Sequence, residues 1–89
     1  MPDKVSLDQN YPNPFNPSTS IRFYVETISN TSLELFDING KLVDTLVDKM
    51  TIPGEYNIVW DGSAYSSGIY IARLNSGSKS KSVKMLLLK

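Results

Sequence analysis

The chain has 89 residues, no cysteine and no histidine, and nine Lys+Arg against nine Asp+Glu, which gives a formal net charge of +0 at pH 7. This length suits one small domain with a single core and falls short of the size at which a catalytic cleft opens between substructures, while balanced charge leaves no positive excess to hold nucleic acid. Without thiols or imidazoles there are no disulfides, no zinc–thiolate sites, no usual neutral-pH base and few routes to a transition-metal site, so neither an enzyme nor a cofactor or metal is expected.

Met1-Pro2-Asp3-Lys4 is polar and lacks the apolar stretch of a secretory signal, and no run nears the roughly 20 apolar residues of a spanning helix, so no membrane insertion is expected. Residues 1–6 read as a linker or expression remnant, ahead of a domain over 7–89 cut from a longer polypeptide. Next come three prolines in six residues, in Asn10-Tyr11-Pro12-Asn13-Pro14-Phe15-Asn16-Pro17. Each proline fixes φ, removes a donor and pushes its predecessor toward extended geometry, which predicts a stiff, presented segment carrying Tyr11 and Phe15.

From Ser20 onward the alternation has period two: Ile21, Phe23 and Val25 share one face of a strand, and Leu33 and Leu35 begin another. Asn39-Gly40 predicts a hairpin with φ > 0 at both central positions, pairing 31–38 with 41–48. Leu42-Val43 and Leu46-Val47 have helix-like spacing, but the preceding turn favours strand. After Pro53-Gly54, the series Tyr56, Ile58 and Trp60 resumes the alternation, with Trp60 a core anchor. The loop 61–68 leads to a strand with Tyr70, Ala72 and Leu74 on one face, and the last strand ends Val83-Lys84-Met85-Leu86-Leu87-Leu88-Lys89. Six or seven short strands with regular turns predict an all-β, Ig-like antiparallel sandwich.

Asp37, Asp44, Asp48 and Asp61 read as solvated acids beside turns or on outward strand positions. Asp37-Ile38-Asn39-Gly40 opens like a calcium loop, but glycine stands fourth and Asp48 twelfth, where that loop needs glycine sixth and glutamate twelfth. Asn30-Thr31-Ser32 fits an N-glycosylation pattern at a position where a turn already explains the asparagine. Tyr11, Phe15, Tyr24, Tyr56 and Tyr65 are candidates for a sugar-stacking platform, against a core or cross-strand role for most of them.

Taken in order, Tyr11-Pro12-Asn13-Pro14-Phe15-Asn16-Pro17-Ser18-Thr19 with Ile21-Arg22-Phe23, Leu35-Phe36-Asp37, Gly40-Lys41-Leu42-Val43, Trp60-Asp61-Gly62, Ser67-Gly68-Ile69-Tyr70, Arg73-Leu74 and Lys84-Met85-Leu86-Leu87-Leu88-Lys89 resemble one known family. This is the type A C-terminal sorting domain of the type IX (Por) secretion system of Bacteroidetes and relatives. The resemblance covers about residues 7–89 and extends, more weakly, to the Ig-like domain of flagellar hook-capping proteins. It implies a non-catalytic sandwich that directs a folded cargo, the N-terminal domains of the same polypeptide, through the periplasm and across the outer membrane to the cell surface or medium. The implied partners are the outer-membrane translocon, its shuttle protein and a surface sortase-like peptidase that removes the domain near Lys4 to Leu7 and attaches the cargo.

The implied sorting residues are Tyr11, Pro12, Asn13, Pro14 and Phe15, then Gly68, Ile69 and Tyr70, then Lys84, Met85, Leu87, Leu88 and Lys89. Ala64-Tyr65-Ser66 departs from the family's more usual acidic residue and leucine, and Asp44-Thr45-Leu46 resembles the short O-glycosylation motif of these bacteria. Packing offers a second reading of several sorting residues: Tyr70, Met85 and Leu87 as core, and Gly68 as a close approach. Lys84 and Lys89 bracket an apolar strand whose unpaired edge is able to add to a partner sheet, and a terminal exposed lysine adds little to stability. A carbohydrate-binding module and a structural Ig-like accessory module of a secreted multidomain enzyme are the alternatives.

Overall fold

Period-two alternation becomes seven strands in the computed structural model, which describes residues 4–89: β1 (Val5–Leu7), β2 (Ser18–Val25), β3 (Ser29–Asp37), β4 (Leu42–Thr51), β5 (Gly54–Asp61), β6 (Gly68–Ser76) and β7 (Lys79–Leu87). Antiparallel pairing builds a three-stranded sheet in the order β1-β2-β5 and a four-stranded sheet in the order β4-β3-β6-β7. The result is the predicted all-β sandwich, and the stretch Leu42 to Val47 with its helix-like spacing is strand.

The inward phase of each strand supplies the core. Ile21, Phe23 and Val25 come from β2, Leu33 and Leu35 from β3, Trp60 from β5, Tyr70, Ala72 and Leu74 from β6, and Met85 and Leu87 from β7. Each large side chain of this kind contributes about 1.5–3 kcal/mol when fully buried. Polar groups that share the inward phase are paired: the Thr31 hydroxyl lies 2.7 Å from that of Thr51 and 3.0 Å from that of Ser76. The two sheets are also tied along the β4–β5 side, where the indole N–H of Trp60 donates to Asp44 Oδ2 at 3.1 Å, and the connection between these strands is held by the Tyr56 hydroxyl, which donates to the Ile52 carbonyl at 2.6 Å.

Two local expectations are corrected. In the β3–β4 hairpin only Gly40, at φ +84, is left-handed, and Asn39 is not. The loop is the three-residue Ile38–Gly40 type: the Gly40 N–H donates to the Asp37 carbonyl at 3.0 Å and the Asp37 N–H donates to the Lys41 carbonyl at 2.9 Å. The cause is the Asp37 side chain, whose Oδ1 accepts the N–H groups of Asn39 (2.9 Å) and Lys41 (3.0 Å) and so fixes the first part of the turn without a second positive φ. The pairing then slips twice, between Leu33 and Glu34 and between Leu35 and Phe36. Bulges of this kind blunt the outer edge of β4.

The second correction concerns the start of the domain. Val5 and Ser6, assigned above to the leading linker, pair with Val25 and Tyr24, and the Glu26 N–H donates to the Lys4 carbonyl at 3.0 Å. The sandwich therefore begins at Val5, because a buried valine and a backbone partner hold it there. The rest of that linker assignment, residues 1–3, lies outside the described residues.

Asp37→Ala removes the oxygen that accepts both side-chain turn bonds, and urea unfolding followed by tryptophan fluorescence should show a loss of about 1–2 kcal/mol with an unchanged m value.

Candidate functional site

The proline run does not stay extended. Tyr11 and Ser20 exchange backbone bonds, N–H to carbonyl, at 3.0 and 2.9 Å, which closes the intervening residues into a loop in which the peptide bonds before Pro12, Pro14 and Pro17 are cis. Inside it, Asn10 Nδ2 donates to the Thr19 hydroxyl (3.0 Å) and to the Pro12 carbonyl (3.1 Å), and the Thr19 hydroxyl donates to that same carbonyl at 2.9 Å. Asn10 and Thr19 are both buried. Neither was among the site residues named from sequence, although Thr19 is in phase with Ile21, Phe23 and Val25, and a polar side chain on a core face needs a partner.

This folding back separates the two aromatics. Tyr11 is 80% exposed, whereas Phe15 is 2% exposed and packs with its ring centroid 5.8 Å from that of Trp60. Phe15 is thus an internal anchor where a presented ring was expected, because the proline loop bends its side chain between the sheets. Tyr56 stacks on Phe23 at 5.1 Å, Tyr65 packs against Trp60 at 5.3 Å, and Tyr24 is half-buried, so among the described residues these rings do not form the sugar-stacking platform considered above.

The Phe15 backbone then meets the last strand. Its N–H donates to the Leu86 carbonyl at 3.0 Å, its carbonyl accepts the Leu88 N–H at 3.0 Å, and the Leu86 N–H donates to Asn13 Oδ1 at 3.0 Å. Gln9 Nε2 donates to the Lys84 carbonyl at 2.6 Å. From Lys84 to Leu88 the outer edge of the last strand is therefore occupied by the chain's own residues 9–15, which corrects the unpaired edge expected there. On its inner side β7 pairs Leu87 with Gly68, Leu86 with Ile69 and Met85 with Tyr70. The three segments named from sequence, far apart along the chain, are side by side in space.

Gly62 closes the junction: a Cβ there would stand 3.2 Å from Leu87 Cδ2 and 3.3 Å from both the Pro17 carbonyl oxygen and Trp60 Cζ3. Gly68 has a different reason. Nothing lies within 4 Å of a Cβ at that position, so the expected close approach is absent, and its φ of +153 is what favours glycine. Of the remaining candidates, Pro12, Asn13, Pro14, Ile69, Lys84, Leu88 and Lys89 are exposed, while Tyr70, Met85 and Leu87 are core.

Lys89 is not a free terminal side chain. Its backbone N–H donates to the Ser67 hydroxyl at 2.9 Å, and its ammonium donates to the carbonyls of Ser63 (2.7 Å) and Tyr65 (2.8 Å). The loop it grips is held from the other side by the Tyr65 hydroxyl, which donates to the Val43 carbonyl (3.0 Å), and by the Tyr70 hydroxyl, which donates to the Ser66 carbonyl (2.7 Å). At the start of the loop, the Ser63 backbone N–H, 2.9 Å from Asp61 Oδ1, and then the Ser63 side chain hold the Asp61 carboxyl below its ordinary 3.8; desolvation opposes them weakly and the charge of Lys89 adds to the lowering.

Comparison with known proteins places this geometry in context. The family model described as "Secretion system C-terminal sorting domain" matches residues 9–89. Among solved structures, the chain is similar to part of PorZ, described as an essential bacterial surface component of the type-IX secretion system of Porphyromonas gingivalis, with 21% identity and a TM-score of 0.57. That likeness covers 96% of this chain and 11% of PorZ, and it concerns the fold. No curated protein matches the chain.

Phe15→Ala should cost about 3–5 kcal/mol in urea unfolding, whereas Tyr11→Ala should stay within about 0.5 kcal/mol of the parent. Lys89→Ala should leave the fold intact yet speed hydrogen exchange of the Ser63–Ser67 amides at least about tenfold. Since the folded Asp61 value is depressed, the stability it lends is present above 3.8 and is lost as pH falls through the lower folded value. A carboxyl titration followed by NMR should place the Asp61 midpoint below 3.8, and Lys89→Ala should move it only part of the way back.

Proposed function

The chain belongs to the secretion system C-terminal sorting domain family, and from that membership we propose that it is the non-catalytic address by which a type IX system exports a folded cargo. The observation that carries this reading is the extent of the match, which takes in both the Tyr11–Phe15 segment and the terminal Lys84–Lys89. The packing of those segments against each other supports it, since a receptor that reads a folded domain needs its signal on one rigid surface.

In this reading the cargo lies N-terminal on the same polypeptide and reaches the cell surface or medium by way of the periplasm. The translocon, its shuttle protein and a sortase-like peptidase are the partners. The sorting residues divide by what they touch. Tyr11, Pro12, Asn13, Pro14, Ile69, Lys84 and Leu88 face solvent and are read, whereas Phe15, Gly68, Tyr70, Met85, Leu87 and Lys89 position them.

Strand direction suits this use. β2 starts at the cluster, where Ser18 pairs with Asp61, and ends at Val25, next to the residue whose N–H holds Lys4. Eight residues of strand span about 25 Å, so the junction with the cargo is remote from the end of the sandwich where Ser18 pairs with Asp61. Removal of the domain falls before Val5, because the backbone from Val5 to Leu7 is paired in the sheet.

Delivery of a reporter fused upstream of residues 1–89, behind a secretory signal peptide in a type IX-competent host, tests this. Deleting Leu87 to Lys89 is a poor probe, as it removes a core leucine. Tyr11→Ala and Leu88→Ser are better, and each should lower surface delivery about tenfold or more, equivalent to about 1.4 kcal/mol of recognition, with unchanged circular dichroism. Periplasmic retention of the intact fusion would sink the proposal.

A further inference from the structure

The solvent face of the four-stranded sheet is divided in two. At one end Asp48, Ser32, Asn75 and Ser80 stand in register across β4, β3, β6 and β7, as expected of a wetted antiparallel face. At the other end Leu42, Phe36 and Ile71 form a cross-strand row, and the next outward pair is Ile69 with Leu86. Leu42 is 47% and Ile69 39% exposed, and the other three are half-buried. Apolar side chains gathered on a face that water could cover mark an interaction surface.

Charge around this stripe is unequal. The Arg73 guanidinium carbon lies 4.8 Å from the Phe36 ring centroid, Lys84 ends the Leu42-Phe36-Ile71 row, and Lys41 precedes Leu42 in the chain. Against these cations stand Glu34, paired in register with Arg73, and Asp37, whose Oδ1 is already taken by two turn amides. Beside the stripe, Ile38, Val43, Tyr65 and Ile69 are among the residues that line an open depression of about 410 Å³, and Lys89 grips one of its walls.

We propose that this stripe and its cationic rim form the docking surface for a protein of the export machinery that presents apolar side chains flanked by carboxylates. The inference rests on the sorting role proposed above and names the partner chemistry of the same site. Ile69 and Leu86 join the stripe to two of the sorting segments. A second copy of this chain fits poorly, because a two-fold contact would press one cationic rim against its equivalent.

The test compares surface delivery of the reporter by the intact domain with that of three double variants, each checked for folding by circular dichroism. Leu42→Ser with Ile69→Ser should lower delivery at least about tenfold, and Arg73→Glu with Lys84→Glu should do the same. Met50→Ser with Val59→Ser, exposed apolar positions elsewhere on β4 and β5, should change it less than about twofold. Lys84→Glu alone, at an exposed position, gives the same readout where a double variant loosens the fold.

Full delivery by both stripe variants overturns the docking surface and leaves the sorting role standing. Failure of the intact domain to deliver overturns both. A fall for the apolar pair alone overturns the acidic character of the partner. Flotation of the purified domain with phosphatidylglycerol vesicles, abolished by Arg73→Glu with Lys84→Glu, overturns the protein partner in favour of an anionic lipid surface.

Discussion

The lock between Phe15 and the end of the last strand is the contact on which the rest of this domain depends. Two backbone bonds and one from the Asn13 side chain fix residues 13–15 to Leu86 and Leu88, and the Phe15 ring fills the space beside Trp60. Without it, β7 would end in an uncovered edge, which is the feature most prone to pair with other chains. The lock also links the first and last thirds of the chain. The bent proline loop, internally bonded through Asn10 and Thr19, holds one partner of this contact in a fixed shape.

Much of the fold was legible because it rests on period two. Inward phases in β2, β3, β6 and β7 could be read directly, and the buried residues are the ones that alternation selects. The features that were not legible share another property: they depend on side chains bonding to backbone, nearby at Asp37 and far along the chain at Lys89. Asp37 holds its turn, and so changes the hairpin type that Asn39-Gly40 predicts. Lys89 reaches carbonyls in a loop more than twenty positions earlier, a contact that no local pattern announces. The proline run was misread for a related reason. Its stiffness was evident, but where a stiff segment points is set by what it packs against.

The candidate site shows the same division. The three short motifs were visible as residues, whereas their adjacency follows from the β6–β7 register and the Phe15–Leu87 bridge, which only the fold supplies. Family membership accounts for why they occur together, and the packing separates those that support from those that face solvent. Alteration of Leu87 or Phe15 disturbs the core and the surface at once, so a loss of export on such changes does not distinguish recognition from folding. Only exposed members such as Tyr11 and Leu88 separate the two.

A sorting domain must also avoid binding everything else, and the treatment of its edges meets that demand. The outer edge of β4 is interrupted by two irregularities, β1 is three residues long, and β7 is covered at its C-terminal half by the proline loop. Promiscuous strand addition is thereby discouraged along most of the perimeter. The outer edge of β5 stays open, but at the sorting segments, where β7 is covered, a partner has side chains on a sheet face to read in place of an open backbone edge. The apolar stripe at Phe36 and Ile71, adjacent to the locked terminus and rimmed by cations, offers such a face. Leu42, Phe36 and Ile71 come from β4, β3 and β6, and Lys84 and Leu86 join them only when the last strand is paired. A partner that reads the whole surface, stripe and rim together, therefore distinguishes the completed fold from the unfolded chain without a separate check.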